Sequence, residues 1–209
     1  MSSAVAAHDD YDVTPVPFLV RHAIIMGIIE AVVVVLMSFI TRYLDGAAET
    51  VLGGIVLAIG LAILTLAPGL WTRARTVEGI AGAAAIGLGA TVVFLLLDVA
   101  LLQPLGMYSD RWLAIGGGSN WWYHPVWWMV GTFIPWQGSF ILANQTVRRG
   151  AVSIVGAIIS LVVFTAICGI VGILIHVPHA GWTLGTFGVA FLPGLVLSAL
   201  LSMIANRRV

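Results

Sequence analysis

Lysine is missing from this chain. Its nine cations are all Arg, and nine Asp and Glu offset them, so the formal net charge is zero. Without an excess of positive charge there is no basic surface to follow a phosphate backbone, and a nucleic-acid partner is excluded. Charge of either sign is scarce, at 9% of residues, where soluble domains carry about a quarter. Such a chain cannot cover a folded core with polar surface. The single cysteine, Cys168, rules out an intramolecular disulfide and a cysteine-based zinc cluster. Lying inside an apolar run, it reads as a small packing residue. The first residues, MSSAVAAHDDYDVTPVP, lack both the basic start and the short apolar stretch of a secretory signal. Rich in Asp and Pro, residues 1–17 read as a flexible cytoplasmic tail. Also missing are an HExxH pair, a Gly-rich phosphate loop, a dinucleotide fingerprint and any Ser–His–Asp pattern. GGGSN at 116–120 reads as a turn.

Hydrophobicity is what the chain has, at 60% of its residues. Continuous apolar runs fall at about 18–42, 50–71, 79–104, 121–145, 151–176 and 183–205. Each is long enough to cross a hydrocarbon layer as a helix. Because they are continuous rather than alternating, a membrane β-barrel is excluded. The expected fold is all-α: a polytopic integral membrane protein, a single domain over 18–209 built as a bundle of six transmembrane helices. The connections are too short to hold a soluble domain.

With six spans, one side of the membrane receives Arg21, Arg73, Arg75, Arg148, Arg149, Arg207 and Arg208, and the other only Arg42 and Arg111. Positive charge is retained on the cytoplasmic side, so both termini should be cytoplasmic. A multi-pass protein of a bacterial cytoplasmic (inner) membrane is expected. Pro68, Pro135 and Pro193 each precede an Arg-marked end on spans two, four and six. Unequal spacing after them argues for tolerated membrane prolines rather than an internal repeat.

Helices in lipid associate by close packing of small residues. Span three offers Gly79, Ala83 and Gly87, and span five offers Gly156, Ser160, Thr165, Gly169 and Gly172. These faces suit either the bundle's own interior or other subunits.

Few polar groups lie at depth. Glu30 sits near the middle of span one, where charge is costly, so it is a candidate for relaying protons or binding an ion. A protonated, structural Glu is the competing reading. Asp98 lies toward the outer end of span three. Asn144 and Gln145 read as caps at the inner end of span four, and Gln137 as a partner for a carbonyl freed by Pro135.

WWYHPVWW at 121–128 marks the outer end of span four. Trp and Tyr favour this level, and Pro125 suits a first helical turn. His124 and His176 lie equally far from Gly150, so on adjacent antiparallel helices they would share one depth, with His179 following. His124, His176, His179 and Asp98 could then bind a metal ion. Alternatively, two of these histidines could ligate a haem, or one of them, such as His124 or His176, another tetrapyrrole, with Trp127 and Trp128 as walls.

The leading expectation is a non-catalytic helical subunit of a larger multi-subunit membrane complex, with the lipid bilayer and other membrane subunits as partners. Its outer face would contact a lipid, pigment or other cofactor. An oxidoreductase or cofactor carrier using the histidines is the alternative, and a small transporter using Glu30 comes after it.

Overall fold

The computed structural model describes residues 12–110 and 124–206. Among these are six helices and no strand. They are α1 (Val16–Tyr43), α2 (Gly46–Trp71), α3 (Val77–Leu97, continued by a π-helical turn over Asp98–Leu102), α4 (His124–Arg149), α5 (Ile154–Leu174) and α6 (Leu184–Asn206). Their bounds follow the six apolar runs within a few residues. Five of them, all but α4, are long and apolar enough to cross a membrane. The protein is a multi-pass membrane bundle.

The exception has a physical reason. α4 carries Gln137, Asn144 and Gln145 and ends on Arg148 and Arg149. It packs against α2, α3 and α6 and buries Gly131, Ile134, Pro135, Gly138, Ser139, Ile141 and Leu142. A helix enclosed by other helices meets lipid over a narrow arc and need not be apolar all round.

Packing has two centres. Met26, Ile86 and Ala90 join α1 to α3, with Ile63, Leu64 and Trp71 of α2 against them. Leu66, Ile134, Leu142, Leu161, Phe191 and Leu195 join α2, α4, α5 and α6. Small residues let the backbones approach where these centres meet. A methyl group at Gly138 would overlap the Thr65 carbonyl of α2, and one at Gly87 would overlap Pro135 and the Gly131 carbonyl of α4. The second contact answers the proline. Pro135 has no N–H to give the Gly131 carbonyl four residues back. Gly87, rather than Gln137, faces that oxygen. The Gly79–Ala83–Gly87 stripe therefore serves the bundle itself, as does Gly169, which abuts Phe187. The three prolines sit in unlike surroundings: Pro68 and Pro135 are buried and Pro193 is exposed.

Hydrogen bonds sort the connections to two ends. At one end, Asp12 accepts from the backbone N–H groups of Arg75 (2.9 Å), Thr76 (3.1 Å) and Gly79 (2.9 Å). Val13 N–H donates to the Thr72 carbonyl at 2.9 Å. The segment Asp12–Pro15 is thus tied across the start of α3, and α1 begins at Val16. Residues 1–11 lie outside the described residues. At the same end, Gln145 Oε1 accepts from Ser153 N–H at 2.9 Å and so closes the α4–α5 connection, while Asn144 donates to Ser202 of α6 at 3.0 Å. The expected caps are therefore ties between helices. At the opposite end, Arg42 of α1 donates to the Gly106 and Met107 carbonyls beyond α3, at 2.6 and 3.1 Å.

The orientation expected from the arginines is testable. Ala74 is buried, but Val77 beside it and Ala48 at the other end are exposed. In a Cys168→Ser background, a membrane-impermeant thiol reagent applied to intact cells should label Ala48→Cys and spare Val77→Cys. The reverse pattern would invert the orientation.

Candidate functional site

Glu30 is the fifteenth of the 28 residues of α1. On one side of it, Ala23 and Gly27 meet α3: a methyl at Gly27 would lie 2.7 Å from the Ala90 carbonyl oxygen and from Val93. On the other side, Val33 meets α2 at Gly60, and Met26 sits in the cluster with Ile86 and Ala90 of α3 against which Ile63 and Leu64 of α2 pack. Glu30 falls between these two stripes, so it points into the junction of α1, α2 and α3. Its Oε1 is buried and has no hydrogen-bond partner. Buried polar atoms are normally paired, so this one asks for an explanation.

Asp98 is fully buried where α3 widens into its π-helical turn. Gln103 Nε2 donates to its Oδ2 at 2.8 Å, and the Tyr108 hydroxyl donates to its Oδ1. Burial and the adjoining Asp98 carboxylate both push the Tyr108 phenol up from its ordinary value, so the phenol remains a donor. Next to this knot, the Ser38 hydroxyl of α1 donates to the Met107 carbonyl. Asp98 thus fastens the C-terminal end of α3 through its own side-chain partners.

The structure does not gather the histidines and Asp98 into one site. Among the described residues no group of three or more His, Cys, Asp and Glu is placed to hold a metal ion. The equal-depth argument required α4 and α5 to be packed neighbours, whereas the main partner of α5 is α6. His176 is exposed, has φ 58°, and follows α5 in a turn closed by Val177 N–H to the Gly172 carbonyl and His176 N–H to the Ile173 carbonyl. That pairing is a helix-ending Schellman motif, with His176 in the left-handed position usually given to Gly. His179 is also exposed and left-handed (φ 65°). His124 begins α4, and its Nε2 is buried without a partner. Trp127 and Trp128 are 39% and 43% exposed, turned outward in the manner of an interfacial belt. Residues 121–123 of the aromatic stretch lie outside the described residues.

A further feature went unread in the sequence. Between α2, α5 and α6 lies an apolar groove of about 290 Å³, lined on α2 by Gly54, Ala58 and Ala62 and on the other side by Ile158, Thr165 and Phe187. It exists because α2 and α5 both lean on α6 without packing closely on each other. Thr165 lines it, but its Oγ1 is buried on the side of Gly194 of α6, where an added methyl would lie 2.9 Å from it. The four-residue spacing of Gly54, Ala58 and Ala62 was visible in the chain, but only the partner helices show that this stripe is left open.

No family model matches this chain, and neither does any curated protein or solved structure.

Proposed function

We propose that this protein is a helical subunit of a larger membrane assembly, and that the groove between α2, α5 and α6 receives a transmembrane helix of another subunit. The groove carries the reading. Small residues at Gly54, Ala58 and Ala62 give a flat surface on which a helix backbone can lie close, the main source of affinity between helices in lipid. α5 also carries a long outward row of Ile and Val, among them Val155, Ile159, Val162 and Val163. The arginine distribution supports a cytoplasmic membrane as the setting.

Groove-filling variants test the proposal. In mild detergent the wild type should migrate as part of an assembly larger than the 22.1 kDa chain. Ala58→Trp and Ala62→Trp should release it as a monomer with unchanged helix content. A monomeric wild type, or an assembly unaffected by both tryptophans, would overturn the reading.

A further inference from the structure

We infer that Glu30 is a proton-binding site at the junction of α1, α2 and α3, with a proton rather than a metal cation as its occupant. The position comes from packing. Glu30 lies midway along α1, one turn beyond the fully buried Met26, and between the stripes that contact α2 and α3. An ionised carboxylate at this depth needs a counter-charge. Among the described residues the packing provides none. On α1 the other ionisable groups are Arg21, His22, Arg42 and Tyr43, eight or more residues away and hence at least about 12 Å along the axis. On α2 only Glu49 ionises, and it lies in the first turn. On α3 there are Glu78 in the first turn and Asp98 in the π-helical turn, both acidic and neither able to neutralise a carboxylate. His22 is turned to the Phe18 carbonyl, at 2.8 Å, and to the Trp71 ring.

The choice of occupant follows from donor count. A monovalent or divalent cation in hydrocarbon needs several oxygens to replace its water. Glu30 Oε1 has no polar partner, and the side chains that flank its position at the α1–α2 and α1–α3 contacts, among them Met26, Val33 and Val93, are apolar. A proton needs no such shell. It binds one carboxylate oxygen covalently, removes the charge and leaves the other oxygen as an acceptor. This site is independent of the groove and stands or falls separately from the assembly reading.

The chain has three glutamates, Glu30, Glu49 and Glu78. Infrared spectra of the protein in lipid, with and without ¹³C-carboxyl glutamate, isolate their bands without any substitution. At neutral pH one carboxylic-acid carbonyl band should carry the isotope shift. It should move in D₂O, decline as the pH is raised, and be indifferent to added NaCl or KCl. In Glu30→Gln, which copies the neutral acid's shape, the band should be absent and the fold retained. Three findings would each overturn the inference: no glutamic-acid band at neutral pH, a band unmoved by D₂O, or a band abolished by Na⁺ or K⁺ at constant pH.

Discussion

Gly138→Ala should lower stability by about 3 kcal/mol, near the upper end for overpacking a close-packed interior. The added methyl overlaps the Thr65 carbonyl oxygen, which is backbone and cannot rotate aside. Thr65 itself is fully buried, with its hydroxyl bonded to the Leu61 carbonyl at 2.5 Å, so the segment is held on both sides. Relief requires α2 and α4 to separate. That separation would loosen the contacts of Leu66, Ile134 and Leu142 together, because all three belong to one cluster. Gly172→Ala is the control. A methyl there meets nothing nearer than 4.0 Å, so replacing a helical Gly should cost nothing or stabilise by about 0.5 kcal/mol. Equilibrium unfolding in mixed micelles measures both. Equal stabilities for the two variants would refute the claim that α2 and α4 depend on a backbone-to-backbone approach.

Asp98→Ala should cost about 2–3 kcal/mol, through the polar groups it strands rather than the charge it removes. The Tyr108 hydroxyl and the Gln103 amide both donate to Asp98, which has no exposed surface. Asp98→Asn keeps one acceptor oxygen and should lose less than half as much. Tyr108→Phe removes a donor together with its demand for an acceptor, and should cost about 1 kcal/mol. Combined with Asp98→Ala it should add little, since the pair is one interaction counted twice. The same stability measurement checks this, with Tyr108 fluorescence-independent probes such as far-UV dichroism. Strict additivity in the double variant would show that the two residues act separately, and a neutral Asp98→Ala would remove Asp98 as the fastening of the C-terminal end of α3.

Much of this architecture was legible because lipid imposes a blunt rule. A spanning segment must satisfy its backbone internally and present apolar side chains outward, so length and hydropathy alone locate the helices. The same rule made Glu30 conspicuous, since a carboxyl in the middle of an apolar run has few innocent explanations. The histidine site was not legible in the same way. Equal distances from Gly150 fix depth only if α4 and α5 are neighbours, and depth says nothing about direction. His176 ends a helix in a left-handed conformation, and the Pro178 that follows two residues later was the available hint.

The sequence by itself determined the number of helices, their limits, the ionisable groups left within the membrane, and the arginine bias between the two ends, because each depends on local composition against a uniform solvent. Tertiary structure alone decided which helix is central, which small-residue stripes are consumed in packing and which remains open. It also decided that Asp12 anchors the N-terminal segment and that Asp98 turns to Tyr108 and Gln103 instead of to a histidine. Those outcomes depend on which helix stands beside which. Gly and Ala stripes occur on nearly every span and fit one another almost equally well, so hydropathy carries no information about their pairing. Only the summed close contacts of the assembled bundle select one arrangement.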